Sequence, residues 1–411
     1  MWREKMPAKN GINMLDVKVR NRRAILELIY RSKKIPRKDI ATQLGLTPAA
    51  ITLITNDLIQ EGILIETEKK ESNSRGRREV LLQINAKKFY VIGVSITRNH
   101  YELIAMDLNK EILYQNKFRT LDFHHDAKQI LAAIMETIQF DILSSSVINK
   151  KKLLGIGVST LGIVNSETGV SLNSYGVFHE SIAIADIFEK RFNVPTLLTN
   201  NICASAHAEA FLANSALETG RLLFIKYGPG IGSALLSNTD YFNIYDYRAV
   251  QLAHVTVEPH GRPCICGYSG CLETVVSYDA IAKDLEEFVR DKAHSKIYHA
   301  LHDSPDSIDI MAILQEYENG NVTVQAEIDR VVFHMATAIK NAITLLNPDS
   351  VILYGEPFDS RKLRYRLVEE LTAYTKAQKV SFSDFNMQLE VMGPATTAIS
   401  AFFLSGGEIP R

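Results

Sequence analysis

Apolar residues recur at helical spacing along residues 17–31, where Ile25, Leu28 and Ile29 share one face and predict an amphipathic helix. A second short helix is expected behind Pro36, with Ile40, Ala41 and Leu44 turned inward and Gly45 supplying the turn that follows. Thr47 suits an N-cap and Pro48 a first helical position, so a third helix is expected from there to about Gln60. Its apolar stripe is Ile51, Ile54, Leu58 and Ile59. After Gly62 two strand-like segments, 63–68 and 79–84, bracket a polar stretch with Lys69, Lys70, Arg75, Arg77 and Arg78. Three short helices and a basic hairpin read as a helix-turn-helix with a wing.

From Ala86 the texture changes. Strands are expected at 89–95, 101–107 and 112–118, then a helix at 127–143, a strand at 153–158, a helix at 182–192 and a strand at 196–199. A similar order recurs with strands near 222–226 and 232–236, long helices after Tyr278 and Val324, and a strand at 351–354. This alternation predicts an α/β body of two lobes around a cleft.

Apolar residues make up 46% of the 411 positions and charged residues 23%, the balance of a soluble chain with a real core. No apolar run approaches the ~18 residues of a membrane span. The first residues carry charges with no apolar stretch behind them, so a cytoplasmic protein is expected. Charge is unevenly spread. Residues 1–88 hold 19 Lys and Arg against 10 Asp and Glu, a net of +9, which leaves −10 for the rest. A basic head on an acidic body fits a polyanion partner better than a solvated tail, given the helix-turn-helix pattern. The third helix would then present Thr47, Pro48, Ala49, Thr52, Leu53 and Asn56 to a major groove of double-stranded DNA. Arg75, Arg77 and Arg78 at the wing tip would reach phosphates or a minor groove.

Three of the four cysteines fall within eight residues, Cys264, Cys266 and Cys271, with His254 ten residues upstream. Three thiolates and an imidazole complete a tetrahedral zinc shell, closed and structural rather than open and catalytic. Gly261, Gly267 and Gly270 would let the loop close around the ion. His260 is a competing ligand but stands close to Cys264, and Cys203 reads as a small buried residue.

The segment from His254 to Glu273 resembles the zinc signature of the ROK family (repressors, open reading frames and sugar kinases). The winged head, Arg75-Gly76-Arg77-Arg78 and Leu81-Leu82-Gln83-Ile84-Asn85 resemble its repressor branch. The resemblance implies an actin-like, ribonuclease-H-type two-lobed ATPase fold behind the winged helix-turn-helix. The polar stretch at 1–16 is expected to be a flexible tail, and from about residue 17 the resemblance implies a DNA-binding domain at 17–86 and a sugar-kinase-like domain at 87–411. Lobe one would span 87–200 plus the C-terminal helix, and lobe two 201–393. It implies homodimers or tetramers, and places Asn200, Asn201, Gln251, His254 and Glu273 at sugar-contacting positions. His254 would join the metal to the ligand, one ring nitrogen on each.

Departures from the family's kinases are equally informative. The Asp that takes the sugar hydroxyl's proton is Asn201 here, and an amide is no general base. The first phosphate loop, an Asp followed by Gly-Gly-Thr, is Ser95-Ile96-Thr97-Arg98-Asn99. The second survives partly as Gly228-Pro229-Gly230-Ile231-Gly232-Ser233, and Asn347-Pro348 remains, but Glu356 follows Gly355. Gln251 replaces a further carboxylate. The expectation is a degenerate sugar kinase with no ATP requirement. Its altered pocket takes a different sugar, a sugar derivative or none, and Arg98 would favour an anionic one. An effector would release the repressor from its operator by shifting populations. The rival readings are an active kinase with a DNA-binding head and a ligand-independent repressor.

Overall fold

A computed structural model describes residues 14–70, 79–120, 126–145, 148–174, 177–178, 180–213, 220–237, 248–290, 295–303, 308–372, 379–385 and 388–404. Arg75, Arg77 and Arg78, proposed for the wing tip, lie outside these residues, as does most of the 1–16 tail. The chain divides into two compact units, Met1–Thr199 with Pro394–Arg411, and Asn200–Gly393.

The first unit begins with α1 (Met14–Ser32), β1 (Ile35–Pro36), α2 (Arg37–Leu44), α3 (Pro48–Gln60), β2 (Leu64–Lys70) and β3 (Glu79–Ile84). Helix α1 starts three residues before the sequence reading puts it, and its core contacts are Ile25, Leu26 and Ile29, with Leu28 only half-buried. Pro36 caps α2 from an extended conformation (φ −78°, ψ 152°) instead of occupying its first turn. It belongs to the two-residue β1, which pairs with β3 as Ile35↔Leu82 and Pro36↔Leu81. An edge strand tolerates a residue with no N–H to donate. Gly45 takes φ +63°, and its N–H closes α2 onto the Ala41 carbonyl. Thr47 then caps α3, its hydroxyl accepting from the Ala50 N–H at 3.2 Å. Ile51, Ile54 and Leu58 of α3 are buried and Ile59 is half-buried. Arg22 pairs with Glu61, and Lys18 with Asp57 at 3.2 Å, so α1 is pinned across the end of α3. The three strands lie in the order β1-β3-β2.

The unit continues with β4 (Tyr90–Ile96), β5 (His100–Asp107), β6 (Ile112–Arg119), α4 (Ala127–Thr137), β7 (Leu153–Thr160), β8 (Ile163–Asn165), β9 (Val170–Asn173), α5 (Ile184–Phe192) and β10 (Thr196–Asn200). Its sheet runs β10-β7-β4-β5-β6, with β4–β5–β6 an antiparallel meander and β7 parallel to β4. Ile92, Val94, Ile156 and Val158 of that sheet pack against Ile130, Ile134 and Phe188 of the helices. Lys110 at the β5–β6 turn places its amine 5.7 Å over the Tyr30 ring of α1.

The second unit holds α6 (Asn201–Leu212), β11 (Arg221–Tyr227), β12 (Ile231–Ser237), β13 (Arg248–Val250), α7 (Glu273–Val276), α8 (Tyr278–Val289), α9 (Lys296–His302), α10 (Ile310–Glu318), α11 (Val322–Leu346), β14 (Ser350–Tyr354), α12 (Arg361–Thr372) and β15 (Lys379–Phe382). Helix α13 (Leu389–Ala398) follows, its chain passing from the second unit into the first at Pro394. The sheet order is β13-β12-β11-β14-β15, with β11–β12–β13 antiparallel and β14 parallel to β11. Numbered within each sheet by chain order, both sheets read 5-4-1-2-3. That repetition is what an actin-like, ribonuclease-H-type body requires. Leu223, Ile225, Val351 and Leu353 meet Ile281, Ile328, Val332 and Ile339 in the second core. Among the described residues no helix is long and apolar enough to cross a membrane.

Candidate metal centre, ligand positions and DNA-facing helix

His254, Cys264, Cys266 and Cys271 converge with all four ligand atoms within 4.8 Å of one another. The His254 Nδ1 lies 3.5 Å from the Cys264 Sγ, and the Cys266 and Cys271 sulfurs are 3.6 Å apart. A tetrahedral zinc with ordinary bond lengths sets S···N near ~3.5 Å and S···S near ~3.8 Å, so the donor set fits that ion in both chemistry and spacing. The imidazole turns Nδ1 toward the sulfurs, and burial lowers its proton affinity, which favours the neutral ring a metal needs. Burial and the neighbouring thiols push Cys271 up to about 12, whereas the Tyr268 backbone N–H holds Cys266 below the ordinary thiol range. His260 sits exposed in a left-handed turn (φ +63°) and is not part of the group.

The loop that carries these ligands folds back on itself. Val257 and Glu258 donate to the Gly270 carbonyl at 2.8 and 3.1 Å. Gly270 takes φ +72°, and any side chain on it would collide with the Glu258 carbonyl. A second layer of charge holds the loop against two helices. Arg330 of α11 reaches Glu258 at 2.9 Å, Asp284 of α8 at 2.5 Å and Glu327 at 3.0 Å, while Arg262 pairs with Asp284 and His334 with Glu258 at 3.1 Å. Of these groups Glu258 and Arg262 lie between His254 and Cys264, and the others come from α8 and α11. Nothing in sequence spacing joins Glu258 to Arg330, 72 residues away.

Of the residues expected to contact a sugar, Glu273 meets the start of β12 directly. The Glu273 carboxylate accepts from the Ile231 N–H at 3.1 Å and lies against Gly230, where a side chain would overlap it. Burial raises the Glu273 pKa, and the Ile231 bond offsets part of that shift. Gln251 follows Val250, whose backbone pairs with Ser233. Asn201, buried at the first position of α6, precedes Ile202, whose side chain fills the space above Gly232. Asn200 caps α6, its Oδ1 accepting from the N–H groups of Ile202 and Cys203 at 2.9 and 3.3 Å. This capping role explains Asn200 without a ligand. Asn347 ends α11 in the left-handed region (φ +46°) and Gly355 packs against the Tyr227 carbonyl, so both positions have local structural reasons. Cys203 is buried, as expected.

In the first unit Ser95 is buried, and Thr97 closes the β4–β5 turn by bonding the His100 carbonyl and ring. The turn offers no carboxylate between Ser95 and His100.

Helix α3 exposes Thr47, Pro48, Ala49, Thr52, Leu53 and Asn56 along one side, with Leu53 62% exposed. The sequence reading missed Arg37, which bonds Thr55 and Asn56 on α3.

The ROK family's sequence pattern matches residues 91–405, and a winged helix-turn-helix DNA-binding pattern matches residues 20–65. The chain is 23% identical over 377 residues to the xylose repressor of Caldicellulosiruptor bescii, covering 90% of this chain and 91% of that protein. Its fold matches the crystal structure of a ROK family transcriptional regulator, a homolog of the Escherichia coli MLC protein, with TM-score 0.78 and 23% identity over 95% of this chain and 97% of that one. The ROK hexokinase from Thermus thermophilus matches with TM-score 0.59 and 18% identity, over 75% of this chain and 97% of the enzyme. The body therefore has a sugar-kinase-like fold, and the part beyond the hexokinase includes the winged head.

Proposed function

The chain belongs to the ROK family, and from that premise we propose that it is a sequence-specific DNA-binding repressor of carbohydrate-metabolism genes whose grip is set by a sugar or sugar derivative. The observation that carries this reading is the capped helix α3, which offers small and hydrogen-bonding side chains outward from a net-positive head. The relative named a xylose repressor supports the gene class.

Catalysis is absent from the proposal for a chemical reason. Asn201 stands where a carboxylate base belongs, and loss of a general base alone removes about 10²–10⁴ in rate. The Ser95–Asn99 turn also lacks the carboxylate that would organise magnesium. Asn201, Gln251, His254 and Glu273 then hold a hydroxylated ligand without deprotonating it. His254, Cys264, Cys266 and Cys271 would hold one structural zinc, which neutralises the thiolates and fixes the imidazole's orientation.

The working form is a cytoplasmic homodimer or tetramer that sets two heads on two half-sites. Lys110 at the β5–β6 turn of the β4–β7 sheet lies over Tyr30 of α1, a contact through which a shift in that sheet would reach the head. A hundredfold change in DNA affinity needs only ~2.7 kcal/mol of differential ligand binding between two conformations. The test selects a bound duplex from a random pool and titrates sugars and sugar phosphates against the complex in a gel shift. One compound should change the apparent affinity by about 10- to 100-fold. A selected duplex indifferent to every compound would leave a ligand-independent repressor.

A further inference from the structure

We propose that Arg37 is a specificity-determining residue that fixes which edge of the Asn56 amide faces DNA. The proposal rests on the DNA-binding reading above and deepens it. Arg37 opens α2 and directs each of its three guanidinium nitrogens to a different group. Nε donates to the Thr55 hydroxyl at 3.0 Å, Nη1 pairs with Glu66 of β2 at 2.9 Å, and Nη2 donates to the Asn56 Oδ1 at 3.2 Å. Thr55 is fully buried and passes its own proton to the Ile51 carbonyl at 2.8 Å. Two partners, one buried and one charged, therefore anchor the guanidinium, and the third corner reaches the exposed Asn56.

Arginine has donors and no acceptor. Asn56 must therefore turn its carbonyl oxygen inward to Arg37, which leaves the amide Nδ2 leading outward. A bidentate asparagine–adenine pair needs both ends of the amide, Oδ1 accepting from N6 and Nδ2 donating to N7. With Oδ1 oriented by Arg37, Asn56 enters the groove as a donor and reads an acceptor edge: a purine N7, guanine O6 or thymine O4. Arg37 thus acts on the base through Asn56, and Glu66 offsets its charge, so it is not placed as a phosphate contact.

The experiment is selection of duplexes from a random pool by the full chain, run in parallel with Arg37→Met, Asn56→Ala and Thr55→Val. Methionine keeps the aliphatic bulk and removes the donors, and Thr55→Val removes one anchor with little change of shape. The unaltered chain should prefer an acceptor-bearing base at one position. Arg37→Met and Asn56→Ala should both weaken preference at that same position, on the order of 5- to 100-fold, and Thr55→Val should do so more weakly. Other positions and the salt dependence of binding should stay as they are. A uniform affinity loss across sequences with a salt slope reduced by about one would make Arg37 a phosphate contact and overturn the proposal. An unchanged motif in a folded Arg37→Met would also overturn it, as would a loss of folding in Arg37→Met with an unchanged motif in Thr55→Val. If the unaltered chain selects no motif at all, the DNA-binding reading itself falls first.

Discussion

Burial first, and then the neighbouring thiols, push Cys271 up to about 12, while the Tyr268 backbone N–H pulls Cys266 the other way. A bound cation would favour the thiolate form of all three cysteines. Cys266→Ser should reduce bound zinc from about one ion per chain to a small fraction and lower the melting temperature by several degrees. Elemental analysis and thermal melting measure both, and full zinc retention would show that the cluster is not the site. A second residue-scale effect concerns His207. It is fully buried on α6, stacked at 5.5 Å on Phe211, and burial lowers its pKa to about 3. The unfolded chain protonates this ring near 6.5 and the fold does not, so the unfolded state binds the extra proton. Its contribution is intact above pH ~6.5 and declines as pH falls toward about 3. His207→Phe should flatten that part of the stability–pH curve in denaturant titrations at stepped pH.

Among the elements, α11 does the most to place the metal loop. One arginine on it meets carboxylates from the loop, from α8 and from its own preceding turn. Partly exposed pairs of this kind are individually modest, but Arg330 serves three carboxylates at once, and removing it leaves Asp284 to Arg262 and Glu258 to His334 while Glu327 loses its arginine. Arg330→Met should cost about 1–2 kcal/mol and speed zinc loss to a chelator on the order of tenfold. The chelator rate is the decisive measurement, since a stability loss with unchanged zinc release would make the arginine a mere surface brace.

The whole molecule is nearly neutral, but its charge is separated along the chain, +9 in residues 1–88 against −10 beyond them. Phosphate neutralisation should therefore be confined to the head. If a bound dimer neutralises about six phosphates, log K against log salt should fall with a slope of about −5. Titrations from low to high potassium salt test this, and a slope near zero would contradict DNA binding through the basic head.

Much of this protein was legible before any coordinates. Helix α3 and its cap follow from Thr47-Pro48 and the Ile51, Ile54 and Leu58 stripe, because periodicity and capping act over a few neighbouring residues. The metal group was legible for the same reason, as its four ligands span only residues 254–271. What required tertiary structure was every contact whose partners are far apart in the chain. The Arg37 fork onto Thr55, Asn56 and Glu66, the Arg330 brace on Glu258, and the Glu273 carboxylate on the Ile231 N–H all come from packing. Local pattern decides which elements form and which face turns inward. Only the meeting of those faces decides which polar groups are left to satisfy one another, because burial makes an unpaired one costly.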